Sequence, residues 1–214
     1  MALEKINKDT FVSILSSDAT FRLVVPEGTP DSIKREYEDS TGKKGVKNEL
    51  VFNKMTGKIT NVAFAETNFG KLLQLTITDE KGPIILSVST AQNYGEDLMK
   101  KLPNLDLSQD VELAPYSFTD ERGKSRKGVS VVQNGNKIKN FFYNEETKEN
   151  INGFPSPKGD TKKYSKDKWK IYFLEARDFL CEYTAEHFGA TKVDANTNDA
   201  DVLADSLSAL PDEQ

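Results

Sequence analysis

Alternation of apolar and polar positions predicts three consecutive strands in the first half of the chain. KLLQLTIT (residues 71–78) alternates in this way, as a half-buried strand does. PIILSVS (residues 83–89) follows a tight turn and carries its proline at the leading position that a strand permits. Residues 58–66 come before a Thr67-Asn68-Phe69-Gly70 turn and have a similar pattern. Short turns therefore join the three predicted strands.

A helix and three further strands are predicted downstream. AQNYGEDLMKKL (residues 91–102) has apolar residues at four-residue spacing, and a proline follows it. Residues 110–118 return to a strand pattern. Residues 129–133 and 137–143 are strand-like runs on either side of Asn134-Gly135, and Asn-Gly is the strongest short-range signal for a hairpin.

Two more helices and one long connection complete the predicted elements. Residues 166–188 show apolar residues at helical spacing, and Gly189 stands where a C-terminal cap belongs. We expect that apolar stripe to pack against a sheet. Thr29-Pro30-Asp31 before SIKREYE has the cap and the leading proline of a short helix. Residues 144–164 are polar and predict a surface connection.

The order of elements from Lys58 is strand, strand, strand, helix, strand, basic loop and strand. This is the order of the five-stranded OB barrel, which binds oligonucleotides between the loops joining strands one to two and four to five. We therefore expect a mainly β fold with one OB barrel. Residues 66–71 would form one wall of its groove and residues 119–128 the other.

Composition divides the chain into three predicted parts. Residues 1–47 form an N-terminal extension, residues 48–192 hold the barrel with its C-terminal helix, and residues 193–214 form a flexible acidic tail. The tail has three leucines at helical spacing, which is typical of a motif that docks on a partner, although it could serve solubility alone. Its candidate partner-binding residues are Leu203, Leu207, Leu210, Asp212 and Glu213.

Charge is distributed unevenly along the chain. The net charge is -5, yet no basic residue follows Lys192, and six of the 34 acidic residues lie beyond it. Without those six the chain has 29 basic and 28 acidic residues. Residues 122–143 hold six cations and no Asp or Glu, which marks a basic patch within an almost neutral body.

Cations alternate with aromatic residues in and around this basic segment. Such a surface suits single-stranded nucleic acid, whose phosphates attract cations and whose bases stack on rings. The candidate nucleic-acid-binding residues are Phe69, Lys71, Tyr116, Phe118, Arg122, Lys124, Arg126, Lys127, Lys137, Lys139, Phe141 and Tyr143. Lys137, Lys139, Phe141 and Tyr143 would share one strand face.

Each candidate also has a structural interpretation. Phe69 lies beside Gly70 in a loop, so stacking and simple exposure are both open. One of Tyr116 and Phe118 is expected to stack while the other packs. Phe142 is expected to face inward, and Trp169 is expected in the core. The cations from Arg122 to Lys127 could form only a solvated hairpin tip.

Several classes of function find no support in the composition. The chain has one cysteine and one histidine, too few for a disulfide framework, a cysteine-rich zinc site or a nucleophile pair on separate elements. We expect no cofactor, no metal and no catalysis. No apolar run reaches membrane-spanning length, and the N-terminus lacks a signal-peptide core, so a cytoplasmic protein is expected.

The predicted strand order, the basic and aromatic groove and the acidic C-terminus together resemble bacteriophage and bacterial single-stranded DNA-binding proteins. GKKGVKNELVFNKMTGKI and DKWKIYFLEARDFL are the segments most similar to phage members. The resemblance implies non-catalytic coating of single-stranded DNA in replication or recombination, with an acidic tail that regulates binding and recruits partners. The bacterial pattern ends in an aromatic residue, whereas this chain ends Pro211-Asp212-Glu213-Gln214.

Rival functions remain at this point. A structural or interaction module could hold a partner through the same fold. An RNA-binding protein without preference for single-stranded DNA would show the same cations and rings. A carboxylate-based enzyme would need a paired-acid motif, and the sequence offers none.

Overall fold

The computed structural model describes residues 10–38, 42–67, 70–189 and 191–194, the last four by their backbone alone. Thirteen strands and two helices lie in those residues. The strands are β1 (Phe11–Leu15), β2 (Thr20–Val25), β3 (Ile33–Glu38), β4 (Lys44–Phe52), β5 (Met55–Thr67), β6 (Gly70–Asp79), β7 (Gly82–Ser89), β8 (Asp110–Thr119), β9 (Ser125–Gln133), β10 (Asn136–Lys137), β11 (Tyr143–Asn144), β12 (Glu149–Asn150) and β13 (Thr191–Asp194). The helices are α1 (Asn93–Lys101) and α2 (Lys166–Phe188).

One mixed sheet dominates the fold. Its strand order is β10-β9-β8-β5-β6-β7-β1-β2-β4-β3, and β13 lies alongside β5 as the eleventh strand. β11 and β12 form a separate two-stranded sheet. Most neighbours run antiparallel, but β1 pairs with β7 and β13 pairs with β5 in parallel. The order predicted from Lys58 onwards, three strands, a helix and two strands, is present as β5, β6, β7, α1, β8 and β9.

The predicted five-stranded OB barrel is wrong. Closing a barrel would require β9 to pair back onto β7, but β1 occupies that edge of β7 through Phe11–Ile85 and Val12–Leu86. In the part of the chain that the structure describes, β9 pairs with β8 and β10 only. The N-terminal segment contains alternating apolar residues of its own, so it extends the sheet instead of lying outside it. Residue 47, the predicted domain boundary, lies inside β4.

The sheet curls around a single main core. Val12, Ile14 and Phe21 from β1 and β2 belong to the same buried cluster as Val129 and Val131 from β9. β1 and β2 therefore lie across the core from β8 and β9, although no strand pairing joins them among the described residues. Lys127 of β9 donates to the backbone oxygen and the hydroxyl of Ser16, at 3.2 and 3.1 Å, and links the two sides.

The short helix predicted after Thr29-Pro30-Asp31 is also wrong, because these residues lead into β3. Ile33 and Tyr37 lie four apart, which suits a helix, but every residue of β3 pairs with β4. Arg35 of β3 reaches Glu49 of β4 through two hydrogen bonds, at 2.9 and 2.7 Å. This long-range pairing overrides the local helix signal.

α2 has the predicted bounds, but its apolar stripe does not pack along its whole length as expected. Ser165 caps its first turn by accepting from the Lys168 N–H, and Gly189 ends it in the left-handed conformation at φ 60°. The buried residues of α2 are Ala176, Leu180, Cys181 and Thr184, so none precedes the middle of the helix. The N-terminal part extends past the core, so the apolar stripe is covered along only part of its length.

No helix among the described residues is long and apolar enough to cross a membrane.

Candidate nucleic-acid interface

The turn between β8 and β9 is organised by one carboxylate. Asp120 Oδ1 accepts the backbone N–H groups of Arg122 and Lys124 at 3.0 and 2.9 Å, and Oδ2 accepts from Arg126 Nε at 2.9 Å. The Lys124 N–H, and after it the Arg126 side chain, hold the pKa of Asp120 below its ordinary value. Asp120 therefore stays ionised at neutral pH and fixes the turn that presents the neighbouring cations.

Below the turn, Tyr116 is held over a glycine. Tyr116 faces Gly128 across the strand pair, and a Cβ on Gly128 would lie 2.5 Å from the Tyr116 hydroxyl and 2.4 Å from Asp97 Oδ2. That carboxylate accepts the Val129 N–H at 2.8 Å and pairs with Lys101 Nζ at 2.7 Å. Burial, and then the Asp97 charge, raises the pKa of Tyr116. Tyr116 is thus a half-buried, neutral support.

Phe118 stands next to that support and faces outward. Its side chain is 56% exposed, and its ring centre lies 5.8 Å from that of Tyr116 with the ring planes inclined by 35°. Residues 118–122 and Arg126 line an open concavity of about 670 Å³. An exposed ring of this size beside a concavity is suited to stack with a flat apolar surface such as a nucleobase.

The four cations predicted for this loop fall into two groups. Arg122 and Lys124 are exposed, and neither side chain has an ion pair within the described residues. Arg126 is engaged by Asp120, and Lys127 is engaged by Ser16. Because a cation already held by an internal partner has fewer free donors to offer a phosphate, Arg122 and Lys124 are the better contacts.

The predicted strand face of Lys137, Lys139, Phe141 and Tyr143 is not formed. β10 ends at Lys137, and the Phe141 N–H donates to the Lys100 oxygen on α1 at 2.8 Å. Phe141 is half-buried against Tyr183, at 6.0 Å between ring centres. Tyr143 is 37% exposed in β11. The predicted inward position of the adjacent Phe142 is confirmed, since this ring is 1% exposed.

The Lys139 ammonium already has an internal partner. Its Nζ lies 2.7 Å from Glu145 Oε2, and the hydrogen bond and the charge of Glu145 raise the pKa of Lys139. The basic stretch appears free of acids in the sequence, but Glu145 follows it closely and neutralises this lysine. Lys137 is exposed in β10.

Lys71 lies apart from the hairpin. It stands at the start of β6, where its Nζ is 3.6 Å from Glu66 Oε1 and 5.5 Å from the centre of the Phe64 ring. β8 pairs with the beginning of β5, from Met55 to Lys58, whereas Lys71 pairs with the far end of β5. Lys71 and the β8–β9 turn therefore do not form one cluster.

The remaining candidates lie outside the described residues. They are Phe69 and the tail residues Leu203, Leu207, Leu210, Asp212 and Glu213.

Sequence reasoning missed a group of partly exposed rings at the start of α2. Trp169 lies 5.0 Å from Tyr164 and 5.6 Å from Phe173 between ring centres, and Phe173 is 55% exposed. Lys168 Nζ is 4.1 Å from the centre of the Tyr164 ring. The many lysines between residues 158 and 170 indicate a solvent-exposed segment and could have revealed this group. The helical spacing of the rings instead predicted that they pack in the core.

The titratable groups of the described residues do not assemble a metal site. No group of three or more His, Cys, Asp or Glu residues is placed to hold a metal ion in that part of the chain. Cys181 is buried, and burial raises the pKa of its thiol. The thiol is therefore protonated and enclosed at neutral pH.

Comparisons with models of known protein families, with curated proteins and with solved structures found no match to this chain.

Proposed function

We propose that this protein binds single-stranded DNA without catalysis and without reading its sequence, through the turn and adjoining strands of the β8–β9 hairpin. The observation that carries the proposal is Phe118, an outward-facing ring at a turn whose Arg122 and Lys124 side chains form no ion pair among the described residues. The resemblance to phage single-stranded DNA-binding proteins is consistent with this function. DNA replication or recombination is the setting that the resemblance implies.

The physical basis of binding would be stacking and charge. A base on Phe118 would contribute about 1–3 kcal/mol and would tolerate any sequence, because every base has a flat face. Arg122 and Lys124 would each release counterions from a phosphate, which makes binding weaken as salt rises. Tyr116, held over Gly128, packs beside the Phe118 ring at 5.8 Å between ring centres.

The test is a titration of fluorescently labelled oligo-dT at several salt concentrations, followed by anisotropy. Phe118→Ala should weaken binding about 5- to 150-fold, which corresponds to the loss of one stacked base. The matched control is Phe173→Ala, which removes an equally exposed ring from α2. Its affinity should stay near that of the unchanged protein.

A double variant tests the charge contribution. Arg122→Ala with Lys124→Ala should reduce the salt slope by about 1.4, since each phosphate contact on a single strand contributes roughly 0.7. Lys139→Ala removes a lysine that Glu145 already neutralises and should leave the slope unchanged. The proposal fails if the protein shows no micromolar binding, if Phe118→Ala binds normally, or if duplex DNA or RNA competes as well as single-stranded DNA.

A further inference from the structure

β3 is an open edge of the main sheet. It pairs with β4 along its whole length, and no other described strand lies on its second side. The opposite edge of the sheet is β10, which has only two residues. A six-residue edge strand exposes a row of backbone donors and acceptors that a further strand can satisfy.

Exposed apolar side chains concentrate on the strands next to this edge. Of eleven large hydrophobic residues exposed in the described part of the chain, five lie on β2, β3 and β4. These five are Val24, Ile33, Val46, Val51 and Phe52. Val24, Ile33 and Val51 lie on one face of these strands and Val46 and Phe52 on the other. Exposed apolar side chains of this kind mark surfaces that contact another protein.

The strand is also held rigidly in place. Arg35 forms its two hydrogen bonds to Glu49, a side chain that is only 1% exposed. Tyr37 lies over Gly45, whose added Cβ would come within 2.7 Å of the ring, and Lys47 Nζ is 4.4 Å from the ring centre. A strand fixed in this way loses little conformational freedom when a second strand pairs with it.

We propose that β3 pairs antiparallel with β3 of a second copy of this chain, around a twofold axis at Arg35, so that the two sheets become one. In this register Lys34 lies opposite Glu36 of the second copy, and Glu36 lies opposite its Lys34. Because the pairing is symmetric, the same Lys–Glu contact occurs twice, once on each side of the axis. Ile33 lies opposite Tyr37 on the other face, which gives two apolar pairs.

Neighbouring registers are less favourable. Two residues that pair directly have their side chains on the same face of the sheet. The twofold axis must therefore pass through a residue of β3, which then faces its own copy, and cannot pass between two residues. An axis at Lys34 places two lysines opposite each other. An axis at Glu36 places two glutamates opposite each other. With the axis at Arg35 the two guanidinium groups are the like-charged pair, and each is already drawn inward to its own Glu49.

Within the described residues Lys34 already pairs with Glu27, and the interface must accommodate this contact. Its Nζ lies 2.7 Å from Glu27 Oε1, and both side chains are largely exposed. An ammonium has three donors, so Lys34 can contact Glu27 and Glu36 of the second copy together. Val46, next to Glu36 in the β3–β4 register, would then lie beside the second sheet.

Sedimentation velocity of the full chain over a range of concentrations, without DNA, tests the proposal. The unchanged protein should form a dimer. Lys34→Glu and Glu36→Lys each replace two attractive pairs by two repulsive ones, so each should weaken the dimer by about tenfold. The double variant K34E/E36K restores opposite charges with the order reversed, and its dimer should recover to within about threefold of the original.

Two controls separate the interface from side effects. Glu27→Gln breaks the internal pair with Lys34 alone and should leave the dimer intact. Far-UV circular dichroism should show the same fold for every variant, because positions 34 and 36 are exposed.

Three results would overturn the proposal. A protein that stays monomeric at every concentration has no such interface. Single variants that dimerise normally, or a double variant weaker than either single one, would exclude this register. Loss of the dimer on Phe173→Ser with normal dimers in both single variants would place the contact on α2 instead.

Discussion

The β3–β4 and β8–β9 hairpins have the same internal construction. Each places a tyrosine directly opposite a glycine, Tyr37 with Gly45 and Tyr116 with Gly128. In both, the ring covers the glycine so closely that a Cβ would overlap it. In both, a lysine ammonium lies near the ring, at 4.4 Å for Tyr37 and 6.0 Å for Tyr116. A ring over a glycine fills the space that a missing side chain leaves.

The hairpins differ in what happens to their charges. In β3–β4, Arg35 is bound to the buried Glu49, and Lys34 contacts Glu27. In β8–β9, one carboxylate at the turn engages Arg126, while Arg122 and Lys124 extend from the same turn without an ion pair among the described residues. The comparison shows that the number of cations in a hairpin does not give the number that remain accessible. The position of the carboxylates decides which cations remain accessible.

The largest effect is expected for Glu49→Gln in the β3–β4 hairpin. The substitution leaves Arg35, and the 6% exposed Arg22 whose Nη1 lies 3.6 Å from Glu49, without their shared counter-charge. Breaking a buried ion pair in this way costs about 3–5 kcal/mol of unfolding free energy. Urea denaturation followed by circular dichroism measures the loss.

Glu38→Gln is the matched control for that experiment. Its carboxylate is 58% exposed and lies 4.0 Å from Lys44, so the change should stay within about 0.5 kcal/mol. Equal stability of the Glu49 and Glu38 variants would show that the charges of β3–β4 are not structural.

The two covered glycines should respond differently to alanine. Gly128→Ala forces a Cβ against the Asp97 carboxylate and the Tyr116 hydroxyl, and Asp97 is fixed by Lys101 and Val129. We expect a loss of about 1–3 kcal/mol, as for other overpacked sites, together with weaker oligo-dT binding. At Gly45 the three atoms nearest to an added Cβ all belong to the Tyr37 ring, which is half-exposed and has more room to shift than the enclosed Asp97 carboxylate.

Thermal unfolding of the two alanine variants, measured side by side, checks this order. The Gly45 variant should lose less than about 1 kcal/mol. A greater loss at Gly45 than at Gly128 would contradict the account of Tyr116 as a fixed support.

The smallest effect is expected for Asp120→Asn. An asparagine keeps a side-chain oxygen for the N–H groups of Arg122 and Lys124 but removes the charge that holds Arg126. Oligo-dT should therefore bind about two- to fivefold more tightly at low salt, with a salt slope larger by up to about 0.7. Glu145→Gln frees Lys139 in the same manner outside the hairpin and should not change the affinity.

Acid should act on the same carboxylate. Because the pKa of Asp120 is depressed in the folded chain, its stabilising effect is present above the ordinary value of 3.8 and is lost as pH falls through the folded value. Amide protection in residues 120–126, corrected for the intrinsic exchange rate at each pH, should fall in that acidic window in the unchanged protein. It should not do so in Asp120→Asn, and identical pH profiles would refute the role assigned to Asp120.

Local signals in the sequence were sufficient for several elements. α2 begins at Lys166 and ends before Gly189 as predicted, because a Ser cap and a left-handed glycine are short-range features. The alternation in residues 71–78 identifies β6, and Asn134-Gly135 marks the turn after β9. The outward position of one of Tyr116 and Phe118 was also expected, and the structure shows that Phe118 is the exposed one.

Long-range contacts decided the rest. The pairing of β1 with β7 leaves the sheet open, and no pattern within residues 10–25 specifies which edge they join. β3 is a strand because β4 and Glu49 are available to it, although its own residues also suit a helix. Likewise, a local sequence window shows Lys139 as a free cation, whereas the fold places Glu145 beside it. Local periodicity determined which segments are regular, and tertiary pairing determined which edges and which charges remain exposed.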